Sequence, residues 1–400
     1  MDLKERALKV HEQYKGKISI NVKTPVEDKE DLSVIYSPGV AEPCKEIYEN
    51  IDNSYRYTTR GNSVAVVTNG TAVLGLGNIG ASAALPVMEG KSALFKHFAD
   101  IDAYPICLDS TDIEEIVKAV TLLEPTYGGI NLEDIAAPEC FYIEDRLKEQ
   151  LNIPVFHDDQ HGTAIVTGSG FLNALKVTNK QIAKTKVVVN GAGAAGIAIV
   201  KLLRSMGVEE IILCDSQGAI YEGRPYAMNP VKEEQAKQTN NENVQGTLEE
   251  VIEGADVFIG VSAAHTLTFD MVQRMNNDAI IFAMANPVPE IMPDAAKAAG
   301  AKVVGTGRSD LPNQVNNVLA FPGIFRGALN ARATEINEEM KLAAVYAIAD
   351  VIPPDELHEE YVIPSPFHNE VVTKVAEAVE RAAIESGAIK KKPSNLTVRV

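Results

Sequence analysis

Four hundred residues, 46% hydrophobic and 23% charged, are the proportions of a globular chain of two or three domains. A formal charge of −18 excludes an extended nucleic-acid surface, though a local basic pocket can sit in an acidic body. No apolar run reaches the length of a membrane span, and Met1-Asp2-Leu3-Lys4-Glu5-Arg6 has no signal-peptide core, so the expected setting is the cytoplasm, with Cys44, Cys107, Cys140 and Cys214 reduced and mainly structural.

Residues 1–32 read as helical and then polar. The step Asp31 to Val40 breaks at Pro38-Gly39, and on spacing alone Tyr36 is a core tyrosine in preference to a proton donor. Val64 to Thr68 is a strand, Asn69-Gly70 a tight turn, and Ala72-Val73-Leu74 resumes the strand direction. Gly75-Leu76-Gly77-Asn78-Ile79-Gly80 matches Gly-x-Gly-x-x-Gly, but no strand with a terminal acid follows at the right distance. It reads as a backbone turn near a ligand, not as a cofactor loop.

Pro86 to Lys96 opens a helix, and Lys91 stands just past Gly90, where that helix would begin. A lysine there opposes the helix dipole. Held by carboxylates and partly desolvated, it could serve as a general base; the ordinary alternative is a surface lysine. Tyr104 to Leu108 is a strand, and Asp112 to Leu123 an amphipathic helix begun by Ser110-Thr111-Asp112.

Two acidic pairs follow, Glu133-Asp134 and Asp158-Asp159, the second after the buried-strand pattern Ile153 to Phe156. Pro138 marks the first turn of a helix between them. Parallel strands joined by a helix put both pairs at one C-terminal sheet edge. Carboxylates gathered there need a cation or a lysine between them, and oxygen-only ligands suit Mg2+ or Mn2+ better than zinc. Solvated caps are the plainer alternative. His157 and His161 flank the second pair as outer supporting groups or as structural histidines. A long apolar helix runs from His161 to Leu175, and the domain boundary falls near residue 160.

The second half carries the clearest local pattern. A strand, Lys186 to Asn190, meets the turn Gly191-Ala192-Gly193-Ala194-Ala195-Gly196, a helix follows to Gly207, and Glu210 to Cys214 is the next strand, with Asp215 at its end. This is the context a dinucleotide fingerprint requires. Gly191, Gly193, Ala194, Ala195 and Gly196 let the backbone approach a pyrophosphate, and Asp215 would bond the ribose. Asp215 favours NAD over NADP, since Ser216-Gln217-Gly218 brings no cation and Arg224 is the nearest. Strands at Asp256–Gly260, Ala279–Met284 and Lys302–Gly305 complete a doubly wound sheet. Asn286 and Asn316-Asn317 are either substrate-holding amides or turn and cap residues. Val371 to Ser386 is an amphipathic helix expected to fold back on the first domain, and Lys390-Lys391-Lys392 a solvated tail.

Taken together, these motifs resemble the malic enzymes of the short bacterial type, from about Tyr36 to about Arg332. The resemblance rests on Tyr36-Ser37-Pro38-Gly39-Val40, Gly75 to Gly80, Met88-Glu89-Gly90-Lys91, Asn131-Leu132-Glu133-Asp134, His157 to Thr163, Gly191 to Gly196 and Asn316-Asn317, all in order. It implies an α/β chain: a substrate- and metal-binding domain over residues 1–160, a Rossmann-type NAD(P)-binding domain over 161–385 and a polar tail over 386–400. It implies oxidative decarboxylation of L-malate to pyruvate and CO2 with NAD or NADP and Mg2+ or Mn2+, oxaloacetate decarboxylation as a side activity, and a homodimer. Glu133, Asp134 and Asp159 are then metal ligands, Lys91 the general base, Tyr36 the general acid and Asp158 the support of Lys91. Asn286 and Asn317 contact substrate, Asn286 also the cofactor. One departure stands out: larger relatives carry a substrate-clamping arginine before the Gly-Leu-Gly turn, and the matching position here is Ala72.

Three rival readings make different demands. A malolactic-type enzyme uses bound NAD without net reduction. A metal-free amino- or hydroxy-acid dehydrogenase leaves both acidic pairs without a role. A silent dinucleotide-binding sensor needs no Lys91.

Overall fold

The computed structural model describes residues 2–73 and 75–390. Two sheets organise it. The first contains β1 (Ser63–Thr68), β2 (Asp102–Cys107), β3 (Gly129–Leu132) and β4 (Val155–His157), all parallel, in the order β2-β1-β3-β4. The second contains β5 (Lys186–Asn190), β6 (Glu210–Asp215), β7 (Gly218–Ala219), β8 (Val257–Gly260), β9 (Ala279–Ala283) and β10 (Ala301–Thr306), in the order β10-β9-β8-β5-β6-β7. Only β7, absent from the sequence reading, runs antiparallel, against β6. β1, β3, β8 and β9 are buried at every position, as expected of parallel strands covered on both faces.

The Asp158–Thr178 helix leaves β4 at once and is buried along most of its length. Its glycines allow close neighbours: a Cβ on Gly168 would lie 3.2 Å from Leu202, and one on Gly170 2.8 Å from Ile363. The Phe321–Ala331 helix, from the second half of the chain, covers the first sheet. Phe321 and Phe325 stack at 4.6 and 5.3 Å on Phe95, and Phe325 meets Phe156 at 5.8 Å. Bare backbone at Gly128 and Gly129 admits Leu329 and Phe325. One apolar core therefore runs from Val64 and Phe95 through Phe156 and Phe321 to Val187 and Ile259. The Val371–Ser386 helix packs chiefly on Phe321–Ala331, which covers the first sheet, and on Glu338–Ala349. Lys391 and Lys392 of the expected tail lie outside the described residues, while Lys390 bonds Asp52 at 3.1 Å.

Several local expectations change. Ala72 and Val73 make no strand; Val73 forms a single bridge to Gly77 in a tight turn. Lys91 does not open a helix. The helix is Ala81–Ala99, entered at Gly80 with φ 79°, so Lys91 sits in its interior and the dipole argument does not apply. Pro86, with which the expected helix opened, lies inside that helix. Tyr36 is not in a core. It is 68% exposed, at the end of the Lys29–Ile35 helix. From Asp2 to Asn62 only Ser54 and Arg60 are buried, and the helices Leu3–Tyr14, Lys29–Ile35 and Ala41–Glu49 bury nothing.

Candidate active site

β3 and β4 are neighbours in register, Leu132 beside His157, so Glu133-Asp134 and Asp158-Asp159 leave the same sheet edge together. Asp134 takes a left-handed turn, φ 53°, which a short polar side chain tolerates, and its N–H donates to Asp159 Oδ2 at 2.7 Å. The 70–80 loop braces this turn: Ala72 N–H donates to Asp134 O at 3.0 Å, and Ala136 N–H to Thr71 Oγ1 at 2.9 Å.

Lys91 reaches the cluster from the Ala81–Ala99 helix. Its Nζ lies 2.5 Å from Asp158 Oδ2 and 3.0 Å from Glu133 Oε1, over the Phe321 ring at 4.2 Å. Burial works against its charge, but Asp158 and Glu133 outweigh burial and hold the ammonium protonated, opposite to the deprotonation expected from desolvation. Burial also pushes up the carboxyls, Glu133 to about 7, and Asp134 to about 8 with Asp159 adding to the rise. Asp159 rises to about 6, through burial first and then Asp158.

One oxygen each from Glu133, Asp134 and Asp159 can lie within 4.8 Å of the others. Asp134 Oδ2 is buried without a partner, whereas Asn131 holds Glu133 Oε2 at 2.9 Å. Three converging carboxylates, one with an orphaned oxygen, fit a hard divalent ion.

Asp134 and Asp159 line a cleft of about 600 Å³ that also contains Ala72, Gly75, Gly193, Ala194, Ala195, Asn286 and Asn317. The acidic cluster and the second glycine turn thus share one space, and the first turn borders it as a wall, in keeping with its sequence reading. Gly191 has φ 123°, and a Cβ on Gly196 would lie 1.7 Å from Gly191 O, so neither position accepts a side chain. At Gly193, which caps the Ala194–Ser205 helix, the space is open. Asn316 caps its own turn, accepting from Val318 N–H at 3.0 Å, and leaves Asn317 beside the cleft.

Asp215 ends β6, but its surroundings differ from expectation. Arg224 grips both of its oxygens, at 2.9 and 3.0 Å, and Lys232 adds a contact of 2.7 Å. Burial would raise this carboxyl; Lys232 and Arg224 hold it below its ordinary value. The cation missing from Ser216-Gln217-Gly218 is supplied from farther along the chain. Tyr36 does not line the cleft.

Two carboxylates unmarked in the sequence reading brace the site. Buried Glu144 accepts from His157 N–H at 3.2 Å, Gln160 at 3.2 Å and His161 at 2.8 Å, fixing the start of the Asp158–Thr178 helix. Its helix exposes the signal: Cys140, Ile143, Glu144 and Leu147 form the inward stripe, so Glu144 occupies an apolar position. His161 is therefore a structural partner. His157 is wholly buried with neither ring nitrogen bonded, and burial lowers its pKa to about 4. Glu290 accepts from Ser262 N–H at 2.9 Å and Ala285 N–H at 3.0 Å, clasping the ends of β8 and β9 beside the cleft.

Comparison with known proteins agrees with this architecture. The family model for the malic enzyme N-terminal domain matches residues 15–148, and that for the malic enzyme NAD binding domain matches residues 160–384. A bifunctional malic/malolactic enzyme of Bacillus subtilis is 64% identical over 97% of this chain and 94% of its own. An NADP-dependent malic enzyme of Escherichia coli is 51% identical over 96% of this chain and 53% of its own. The crystal structure of an NAD-dependent malic enzyme from Thermotoga maritima superposes with a TM-score of 0.91 at 52% identity, covering 94% of this chain and 98% of that one. The chain belongs to the malic enzyme family.

Proposed function

We propose that this protein oxidises and decarboxylates L-malate to pyruvate and CO2, reducing NAD(P), with a divalent ion held by Glu133, Asp134 and Asp159. The observation that carries this reading is the shared cleft: an oxygen-only acidic cluster faces a dinucleotide turn across a space the size of a small dicarboxylate and a nicotinamide. When bound, the ion supplies Lewis-acid charge that also loosens Lys91's hold on its proton, and NAD(P) supplies the hydride acceptor.

The chain's own groups do the rest. Lys91 takes the proton of the substrate's C2 hydroxyl, and Asp158 aims and charge-balances it. Asn286 and Asn317 orient the substrate, Asn286 next to the cofactor. Gly191, Gly193, Ala194, Ala195 and Gly196 admit the pyrophosphate, and Asp215 takes the ribose hydroxyls. After CO2 leaves, the enol carbon takes a proton, a part that the family resemblance assigns to Tyr36, which stands outside the cleft of its own chain. NAD is placed ahead of NADP on the charge of Asp215, with Arg224 and Lys232 narrowing the preference. Among the described residues no helix is long and apolar enough to cross a membrane, and the acidic composition suits a cytoplasmic enzyme.

A second reading has one specific support, the malic/malolactic relative. Product analysis separates the two. Pyruvate formed in step with NAD(P)H supports oxidative decarboxylation; lactate without net cofactor reduction supports the malolactic route.

A further inference from the structure

Buried Glu144 lines a second cavity, which shares no lining residue with the cleft. The cavity measures about 390 Å³ and lies where the Glu139–Gln150 helix meets the helices Asp158–Thr178, Ala194–Ser205, Pro230–Ala236 and Glu338–Ala349. Small-molecule sites favour such junctions between the two halves of a chain, and this volume falls within their ordinary range of roughly 300–1,000 Å³. Ile165, Ala198, Leu202 and Val231 give it an apolar lining.

Its polar lining divides by depth. Lys341 and Gln235 are 5% and 1% exposed and Lys148 is half-buried, whereas Asp145, Lys201, Glu234 and Glu338 form an exposed rim. Lys148 pairs with Glu144 at 2.8 Å, and Lys341 pairs with Glu338 of the rim at 2.7 Å. The inner group therefore sets two ammoniums against one carboxylate, and His161 also draws on that carboxylate at 2.8 Å. The lysines oppose each other: Lys341 lies below its ordinary pKa, through burial first and then through the charge of Lys148. An anion between two such cations relieves both burdens. Gln235 is an independent sign of a ligand. Neither its amide nitrogen nor its amide oxygen has a partner among the described residues, and a buried amide calls for both an acceptor and a donor.

We propose that this cavity binds a small organic anion, a carboxylate or a phosphate monoester on an apolar body, and that its occupancy reaches the acidic cluster through Glu144. The anionic group lies against Lys148 and Lys341, the body against Leu202 and Val231, and Gln235 bonds a polar group on it. The rim, with three acids to one lysine, turns away polyanions. An anion on Lys148 draws that lysine from Glu144. The other bonds of Glu144 run to His157 N–H, Gln160 and His161, at the start of the helix that carries Asp158 and Asp159. Both spaces are built on the same two helices: Thr163 and Ala195 line the cleft, Ala164 and Ala198 the cavity. The anion site stands without the metal assignment; only the coupling rests on it.

Calorimetry on metal-free protein tests the site, with 4-hydroxybenzoate for the carboxylate source, 4-nitrophenyl phosphate for the phosphate source and inorganic phosphate as a head group without a body. One of the two aromatic anions is expected to bind with a Kd of about 1 mM or tighter, and inorganic phosphate more weakly. Lys341→Gln should weaken that binding by at least about tenfold. Gln235→Leu removes the unpaired amide at similar volume, so the protein should stay folded while binding weakens severalfold. No binding of any of the three, or binding undiminished in both variants, overturns the site. Mn2+ affinity is then read by electron paramagnetic resonance with and without the probe that binds. A change of about fivefold or more is expected in the native protein and none in Lys341→Gln. Mn2+ bound equally in both conditions overturns the coupling. Protein that takes up no Mn2+ at all overturns the metal assignment and the coupling with it, and leaves the anion site supported by the calorimetry.

Discussion

Lys91 and Asp158 meet at 2.5 Å where neither side chain is open to solvent, and Glu133 completes the arrangement on the other side of the ammonium. The pair joins the Ala81–Ala99 and Asp158–Thr178 helices at the first sheet's C-terminal edge, so it both closes the core and sets a titratable nitrogen beside the acidic cluster. Removing one partner leaves a buried charge without compensation, which costs about 3–5 kcal/mol in comparable pairs. Lys91→Ala is expected to lower stability on that scale and turnover by about 10²–10⁴-fold. Asp158→Asn keeps the volume and one hydrogen-bonding oxygen, so it is expected to lower kcat with little change in the malate KM. Steady-state kinetics beside urea unfolding checks both. Normal turnover in either variant would remove the pair from the chemistry.

The carboxyl cluster makes stability fall with pH, a dependence that bound metal should flatten. Glu133, Asp134 and Asp159 rise to about 7, 8 and 6 in the folded protein, above their ordinary values of 4.5, 3.8 and 3.8. Groups with raised values contribute stability below the unfolded values and lose it as pH rises through the folded ones. In chelator the melting temperature is therefore expected to fall between pH 5 and 8.5. Saturating Mn2+ should flatten the fall and stabilise most at the alkaline end, where it no longer competes with protons. A metal-induced shift independent of pH would contradict the assignment of these three ligands.

Much of this site is legible in the sequence because its parts are local. The Gly191–Gly196 turn and Asp215 lie within one strand–helix–strand unit, and each acidic pair directly follows its strand. The placement of Lys91 was less accessible: Pro86 and Gly90 look like a helix start, while the true start, Gly80, belongs to a turn that reads as a separate motif. Lys232 lies 17 positions beyond Asp215, on a helix of its own, and no spacing rule links them. Glu144 was accessible in principle, as a carboxylate in an apolar stripe. The core reading of Tyr36 fails because an apolar step of sequence does not say whether its segment finds anything to pack on, and no residue of 24–50 is buried.

Two glycines of the cofactor turn should respond differently to the same methyl group. Gly196→Ala drives a Cβ to 1.7 Å from Gly191 O and is expected to distort the turn, lowering both melting temperature and NAD(P) affinity. Gly193→Ala meets nothing within 4 Å in the free protein, so its fold should survive while the methyl obstructs the pyrophosphate. Thermal melts with NAD titrations by fluorescence distinguish the two. Unimpaired NAD binding in Gly193→Ala would move the cofactor away from this turn.

Asp215 is the test of cofactor choice. Replacing it with Ala removes the ribose acceptor and frees Arg224 and Lys232, two cations suited to a 2′-phosphate. The ratio of kcat/KM for NADP to that for NAD is expected to rise roughly tenfold or more, the effect of about 1.4 kcal/mol. An equal loss with both cofactors would deny Asp215 its part in discrimination.

The most direct measurement is NADH formation from L-malate with Mn2+, followed at 340 nm with pyruvate assayed in parallel, in the presence and absence of chelator and in Asp159→Asn. The account predicts equal amounts of NADH and pyruvate, abolished by chelator, restored by excess Mn2+, and absent in the folded Asp159→Asn protein. NADH formation that ignores the chelator and survives in Asp159→Asn would contradict it, leaving a dehydrogenase that owes nothing to the acidic cluster.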